Sequence, residues 1–487
     1  MVGAVITTEI EEPIMSKLSE FDFAPNLKLH MPRSACERLL SLLSPHVKPC
    51  KKNPSRGLWA LAIHVLNTCL YRLDNKNEYL PLGWEWIRKH FGATNIQPLI
   101  DSGFLELDGN GFSKGTASEP GRCRHGRVNP SVLWEICVLW RRGKRHDTNM
   151  LTGRNSKPKK VKNDLKGKSG SEITREAIAI IHNTPVPWNR KATSEFLDHL
   201  EQVVTNGRWT DAKRKTHYLR YAQSVAVFQH LLQQSVEITE EICVYHPSFR
   251  PSYTDRVSEL GGGLQACSRE FRAAALTGIP HFNFDMKSSQ LWILFEITNH
   301  QPLREYVAIS KTVWAAKLGV DVDRYKEILY GLIFSAGCLQ IESITGKHIV
   351  HNSDGTHKKT IKKAPPVDDA LVREHLAPIL DAIKIALDKI DHSKKSDDQR
   401  DYIENACGSK LYVSEYDRKQ QLAFVIQGQE AAIIHMLTLM CHSEGIPVYS
   451  NQHDGIITGR DIPPELIDEC KSITGIDFSL ELKPILG

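Results

Sequence analysis

Two stretches of this chain read as a strand that runs into an aspartate. His281-Phe-Asn-Phe-Asp285 alternates polar and apolar residues, then gives way to a segment, MKSSQLWILFEI, whose apolar residues recur at helical spacing. Val448-Tyr-Ser-Asn-Gln-His-Asp454 also reads as strand, and GIITG after it can pair back as the second strand of a hairpin with the acid at the tight turn. Two carboxylates at the tips of adjacent strands can hold two divalent cations roughly 3.5–4 Å apart, which activates an attacking oxygen and stabilises a leaving one in phosphoryl transfer. Oxygen ligands with open positions favour magnesium over zinc. A His-Asp dipeptide is common in itself, so the rest of the chain must decide whether this pattern is chemical.

At 487 residues, 41% hydrophobic and 24% charged, the chain can bury cores in two to four domains. No uninterrupted apolar run approaches the roughly 18 residues that span a bilayer, and MVGAVITTEIEEP carries acids where a signal peptide has its apolar core. The expectation is a cytoplasmic protein with no membrane partner. Its 11 cysteines are scattered without a CxxC pair, which argues against a disulfide framework and a four-cysteine zinc site. Cys123 and His125 could touch a metal, but they also suit a plain basic loop.

The net charge of +5 hides a local asymmetry. Between Arg141 and Lys168 lysines and arginines face only Asp147 and Asp164, and few apolar residues are present to build a core. This run reads as a solvated linker over 141–171, with nucleic-acid contact as a second role, because clustered cations displace counterions from phosphates. KPKKVK within it has the look of a nuclear-import signal, a match that basic linkers produce freely. Ahead of it, LWALAIHVLNTCLYRL from Leu58 and LGWEWIRKHF from Leu82 read as helices. NIQPLIDSGFLELDGNGF and CRHGRVNPSV then read as a short helix and a hairpin around a Gly-Asn-Gly turn. That order predicts a winged-helix-like domain over 1–140, a module that docks DNA or protein. Residues 172–245 read as helical, with Arg208, Lys213, Arg214 and Lys215 between two helices.

Between the two aspartates, RYKEILYGLIFSAG from Arg324 reads as the start of a helix on which Lys326, Tyr330 and Phe334 follow at four-residue steps. Such a face is either an amphipathic helix with core aromatics or a cation one turn from a ring that stacks on a base.

Taken together, these segments resemble motifs A, B and C of the family A (pol I-like) DNA polymerases. D-M-K-S-S-Q-L-W from Asp285 is similar to D-Y-S-Q-I-E-L-R; K-E-I-L-Y-G-L-I-F-S from Lys326 is similar to K-x-x-x-F/Y-G-L-I-Y-G; Q-H-D-G at 452–455 is similar to V-H-D-E. AFVIQGQEAAIIHM resembles N-x-x-x-Q-G-T-A-A-D-I-I-K, and RVSELGGGLQ from Arg256 resembles R-L-x-x-x-x-P-N-L-Q. The five blocks keep the family's order across 250–487. The resemblance implies an α+β fold with the right-hand layout of palm and fingers over 246–487 and a helical thumb over 172–245. It implies DNA-directed DNA synthesis on a DNA primer-template from nucleoside triphosphates with two Mg2+ ions. Asp285 and Asp454 would hold the metals and Lys326 would neutralise the triphosphate. Tyr330 would lie by the nucleotide sugar and Phe334 by the templating base. Arg256, Gln265, Gln427 and His453 would contact the primer-template.

The chain departs from the pattern in four places. Val322 stands where motif B has its arginine, leaving Arg324 as a substitute, and Ser310 stands at the fingers histidine, leaving Lys311 as the phosphate contact. Gln290 replaces the glutamate that screens out a ribose 2′-hydroxyl, and Gly455 replaces the glutamate after the motif C aspartate. No D-x-E segment of a proofreading exonuclease is found. Two alternatives follow: a single-subunit RNA polymerase or primase-type enzyme, and a replication initiator that binds DNA without chemistry. A metal phosphohydrolase built on His-Asp, with His435 or His442, would need the dipeptide on a helix, whereas its flanks read as strand.

Overall fold

The computed structural model describes residues 29–43, 47, 57–71, 80–82, 84–93, 95–108, 125–143, 148–150, 154–155, 170–334, 347–351, 357–362, 369–397 and 399–485. The chain mixes helices and strands and forms two compact units. One comprises Met1–Lys162, Lys191–Val236 and Leu260–Gly263; the other comprises Asn163–Arg190, Glu237–Glu259 and Leu264–Gly487. The segment 172–245 is thus divided between them.

In the first unit Leu58–Tyr71 is a helix with Trp59, Leu61, Val65, Leu66 and Cys69 all buried. The strand Leu80–Pro81, the helices Trp84–Phe91 and Gln97–Asp101, and the strands Leu105–Leu107 and His125–Val128 follow in sequence. Pro98 opens the second of these helices, and Gly103 at φ +72 turns the chain out of it, a conformation that a side chain would strain. In the three-stranded sheet His125–Val128 lies between the other two strands. The helix Pro130–Arg142 packs along Asp211–Gln234, with Trp134 against Tyr218 at 5.4 Å between ring centroids. Arg141 reaches Asp198 and Glu201, and Lys215 pairs with Glu106 at 2.7 Å, while Arg208, Lys213 and Arg214 stay exposed. The Gly-Asn-Gly turn, Cys123 and most of the Arg141–Lys168 run lie outside the described residues.

The second unit is organised on a four-stranded antiparallel sheet. Its strands are β1 (Phe282–Met286), β2 (Val448–Asn451), β3 (Gly455–Thr458) and β4 (Leu480–Leu482), in the spatial order β2-β3-β1-β4. The helices used below are α1 (Glu172–Asn183), α2 (Ser289–Thr298), α3 (Lys311–Lys317), α4 (Val322–Phe334), α5 (Arg418–Ser443) and α6 (Pro464–Thr474).

Helix α5 starts at a reciprocal cap: the Asp417 carboxylate accepts the Gln420 N–H at 2.8 Å and the Gln420 side chain accepts the Asp417 N–H at 3.0 Å. By length and composition α5 could cross a bilayer. Here its Leu422, Ile426, Ile433, Ile434 and Leu437 fill the core of the unit together with Leu294 of α2, Ile456 of β3 and Cys470 of α6. Ser288 takes a left-handed conformation, φ +50, between β1 and α2, so the acid-bearing strand turns sharply into its helix. Ser310 caps α3, and a Tyr306–Tyr325 hydroxyl contact at 2.5 Å beneath the stacked Trp314 and Tyr306 rings anchors α4 near it.

Candidate active site

Asp285 occupies the fourth position of β1, opposite Gly455 of β3, and the next N–H along, that of Met286, donates to the Asp454 carbonyl at 2.7 Å. The two aspartates of the sequence pattern therefore lie at the same end of the β1–β3 ladder, one residue out of register with each other. Glycine is required at 455 because a Cβ there would lie 2.4 Å from the Phe284 carbonyl oxygen. The turn before it is tight: His453 sits at φ +70 with its N–H on the Asn451 carboxamide at 3.1 Å, and the Gln452 N–H donates to the Gly455 carbonyl at 2.8 Å. Gln265 braces this turn. Its amide nitrogen donates to the Asn451 and Val257 carbonyls at 2.6 and 2.8 Å, and its oxygen accepts the Glu259 N–H at 2.6 Å. Both polar atoms of Gln265, expected at the primer-template, are thus engaged inside the unit.

The charges around the pair are uneven. Solvent reaches Asp454, yet desolvation of its carboxyl, then the negative charges of Asp285 and Glu430, push it up to about 6, against a smaller pull from Arg256. The Asp285 carboxylate has a direct partner, the Lys483 ammonium from just beyond β4. Lys311, at the start of α3, is lowered by burial first, then by the like charges of Lys326 and Lys483, while Asp285 and Asp454 hold it up. Tyr330 of α4 is raised by burial and then by Asp454, Glu430 and Asp285, and Lys311 Nζ stands 6.0 Å from its ring centroid. Lys483 thus lies on Asp285, Lys311 and Tyr330 lie within electrostatic reach of both aspartates, and Lys326 lies within reach of Lys311.

Behind the pair lies a carboxylate that periodicity did not single out. Glu430, wholly buried in α5, takes the Arg256 guanidinium and the Ser289 hydroxyl. An acid that opens the apolar run Ala431-Ala-Ile-Ile434 of a long helix is a signal a sequence can carry, and Glu430 stands one turn after Gln427. Arg256 is aimed by Asp255, which is buried at φ +63. The Asp255 carboxylate accepts from the Ser171 N–H at 3.0 Å, the Thr174 hydroxyl at 2.9 Å and the Asn405 amide at 2.9 Å, and its carbonyl meets His435 Nε2 at 2.9 Å. Gly428 leaves room for Asn405, whose amide nitrogen would lie 2.6 Å from a Cβ there. His435 is therefore a core residue of this network. His453 is pushed down to about 4 by burial and then by Arg256, so its imidazole is neutral at pH 7.

The remaining expected residues are placed more loosely. Lys326 is half-exposed, 3.5 Å from Asp323 on its own helix. Arg324 pairs with Glu327 at 3.1 Å and caps onto Asp321 through its N–H at 2.7 Å, which holds it along α4. Phe334, the last residue of α4, is half-buried, as are Gln427 and Gln290, and the Gln290 side-chain oxygen has no hydrogen-bond partner. Among the described residues no group of three or more His, Cys, Asp or Glu side chains is arranged to hold a metal. What the site offers a cation is two hard carboxylates, one of them under repulsion, a donor set that suits magnesium or manganese in a partly hydrated state and excludes a closed zinc centre.

No family model and no curated protein matches this chain. Among solved structures, the POL domain of Pol1 from M. smegmatis, in complex with DNA primer-template and dNTP, is distantly similar in fold: 14% sequence identity, a TM-score of 0.41, and 64% of this chain covering 69% of that one.

Proposed function

We propose that this chain is a template-directed nucleotidyltransferase that extends a DNA primer with deoxynucleotides. The observation that carries the reading is the pair of Asp285 on β1 and Asp454 in the turn that leads into β3, with Lys311 and Tyr330 in electrostatic reach of both and Lys326 in reach of Lys311. The ordered motifs of residues 250–487 support it. Asp285 and Asp454 would hold two magnesium ions, which when bound supply Lewis acidity to the attacking 3′-hydroxyl and to the departing pyrophosphate. Lys326 and Lys311 neutralise the triphosphate as charge moves onto it. Tyr330 lies against the sugar, and Phe334 against the templating base. Arg256, His453 and Gln427 meet the primer-template, Gln265 keeps the hairpin in register beneath them, and Arg324 stiffens the start of α4. In the first unit, a helix, strand, two helices and a hairpin in that order support a winged-helix module that adds a further DNA contact, and the right-hand layout is proposed with it.

Primer extension on a labelled duplex tests the proposal. Asp454→Asn should abolish extension and leave duplex binding within about twofold; retained extension would remove Asp454 from the chemistry. A second reading, an RNA polymerase or primase-type enzyme, is favoured by Gln290, which stands in place of the glutamate that screens out a ribose 2′-hydroxyl in the family this chain resembles. Extension with NTPs, on primed and unprimed templates, separates the two.

A further inference from the structure

Lys483 lies in no motif and 198 residues from its partner, yet its ammonium rests directly on the Asp285 carboxylate. The backbone puts it there. The Lys483 N–H donates to the Asn283 carbonyl at 2.8 Å, and the Asn283 amide donates back to the Lys483 carbonyl at 3.2 Å, so the residue continues the β1–β4 ladder by one rung. Its side chain is about half-exposed, 46%, so it can swing away without unpacking the core. It also faces company of its own sign, because Lys311 feels the charges of both Lys326 and Lys483.

Ammonium groups gathered from a helix start, a helix face and a C-terminal strand repel one another unless an anion of several charges lies among them. Asp285 is in direct contact with Lys483 alone, while Lys326 has Asp323 on its own helix and Lys311 feels the aspartates only through space. Once a divalent cation takes over Asp285, the Lys483 ammonium loses its partner while Lys311 and Lys326 remain beside it. A triphosphate meets that need in charge and in length.

Resting on the polymerase reading above, we infer that Lys483 is a nucleotide-binding residue that changes partners: it guards Asp285 in the free protein and moves to the incoming triphosphate when a divalent cation displaces it. The side chain therefore contributes twice with opposite sign. It weakens cation binding to the free protein and strengthens nucleotide binding to the loaded one.

The test uses the full chain, native and Lys483→Gln, with Lys483→Arg as the charge-preserving control. Mn2+ titrated calorimetrically into the protein alone should bind several-fold more tightly to Lys483→Gln than to native. The dissociation constant for dNTP on a primer-template ending in a dideoxynucleotide, measured by fluorescence in Ca2+ so that no turnover occurs, should weaken about tenfold in Lys483→Gln. Lys483→Arg should stay near native in both. Because the main-chain bonds to Asn283 persist, thermal melts of the three proteins should coincide. An unchanged dNTP dissociation constant in Lys483→Gln, or an unchanged Mn2+ affinity, overturns the inference. A native protein that neither extends a primer nor binds dNTP overturns the polymerase reading instead.

Discussion

Glu430 and Asp454 are carboxylates within electrostatic reach of each other, and the unit treats them in opposite ways. Glu430 has no exposed surface, an arginine on one oxygen and a serine hydroxyl on the other. Asp454 sits at an open turn with neither, held up at about 6 by desolvation and by its acidic neighbours. A buried acid left unpaired would cost several kcal/mol, so the fold supplies partners for the one it cannot expose. The acid it can expose stays under repulsion, which only a cation from outside relieves. The contrast separates a carboxylate that holds the structure from one that the structure holds ready.

Four measurements break or sharpen this contrast. The largest effect is expected at Asp285: Asp285→Asn should lower nucleotidyl transfer by at least about a thousandfold, equal to about 4 kcal/mol of transition-state stabilisation, in a primer-extension time course. Activity near native would place the aspartate pair with the structural acids. Next, Glu430→Ala should destabilise the protein by about 3 kcal/mol in urea unfolding, because Arg256 would be left partly buried without its counter-charge. A change below about 1 kcal/mol would make Glu430 equivalent to a surface acid. Gly455→Ala should cost about 1–3 kcal/mol, since the new methyl meets backbone rather than a movable side chain.

The smallest effect carries the opposite sign. Asp454 has a folded pKa of about 6, above the ordinary 3.8, so the folded state takes up its proton first. Its penalty is complete above about pH 6, shrinks as the pH falls, and is gone below about pH 4. Asp454→Asn should therefore raise the melting temperature slightly at pH 7 without divalent cations, and the gain should vanish at pH 4. Added Mg2+ should stabilise the native protein and leave the variant unmoved.

The sequence made the local parts of this site legible. A period of two followed by a helical period marked β1, the flanks of the His453–Asp454 turn marked the β2–β3 hairpin, and four-residue steps put Lys326 and Tyr330 on one face of α4. What it could not display were pairings made by distant segments. Lys483 and Asp285 are 198 residues apart, Glu430 and Arg256 are 174 apart, and neither pair leaves a mark in periodicity. Gln265 illustrates a further limit: a glutamine suits a groove contact and an internal brace equally well by its chemistry, and only the neighbouring carbonyls of Asn451 and Val257 reveal the brace. The glycine at 455 is similar, since its reason is a carbonyl on another strand.

The pairing of Asp285 with Gly455 fixes how this turn can change over evolutionary time. Along a strand, neighbouring side chains alternate between faces, so lengthening the loop between Asn451 and Gly455 by one residue would reverse the phase of everything after it or force a compensating bulge. Either way Asp454 would be carried away from Asp285. Homologues that keep the chemistry should therefore tolerate replacements within this loop far better than changes in its length.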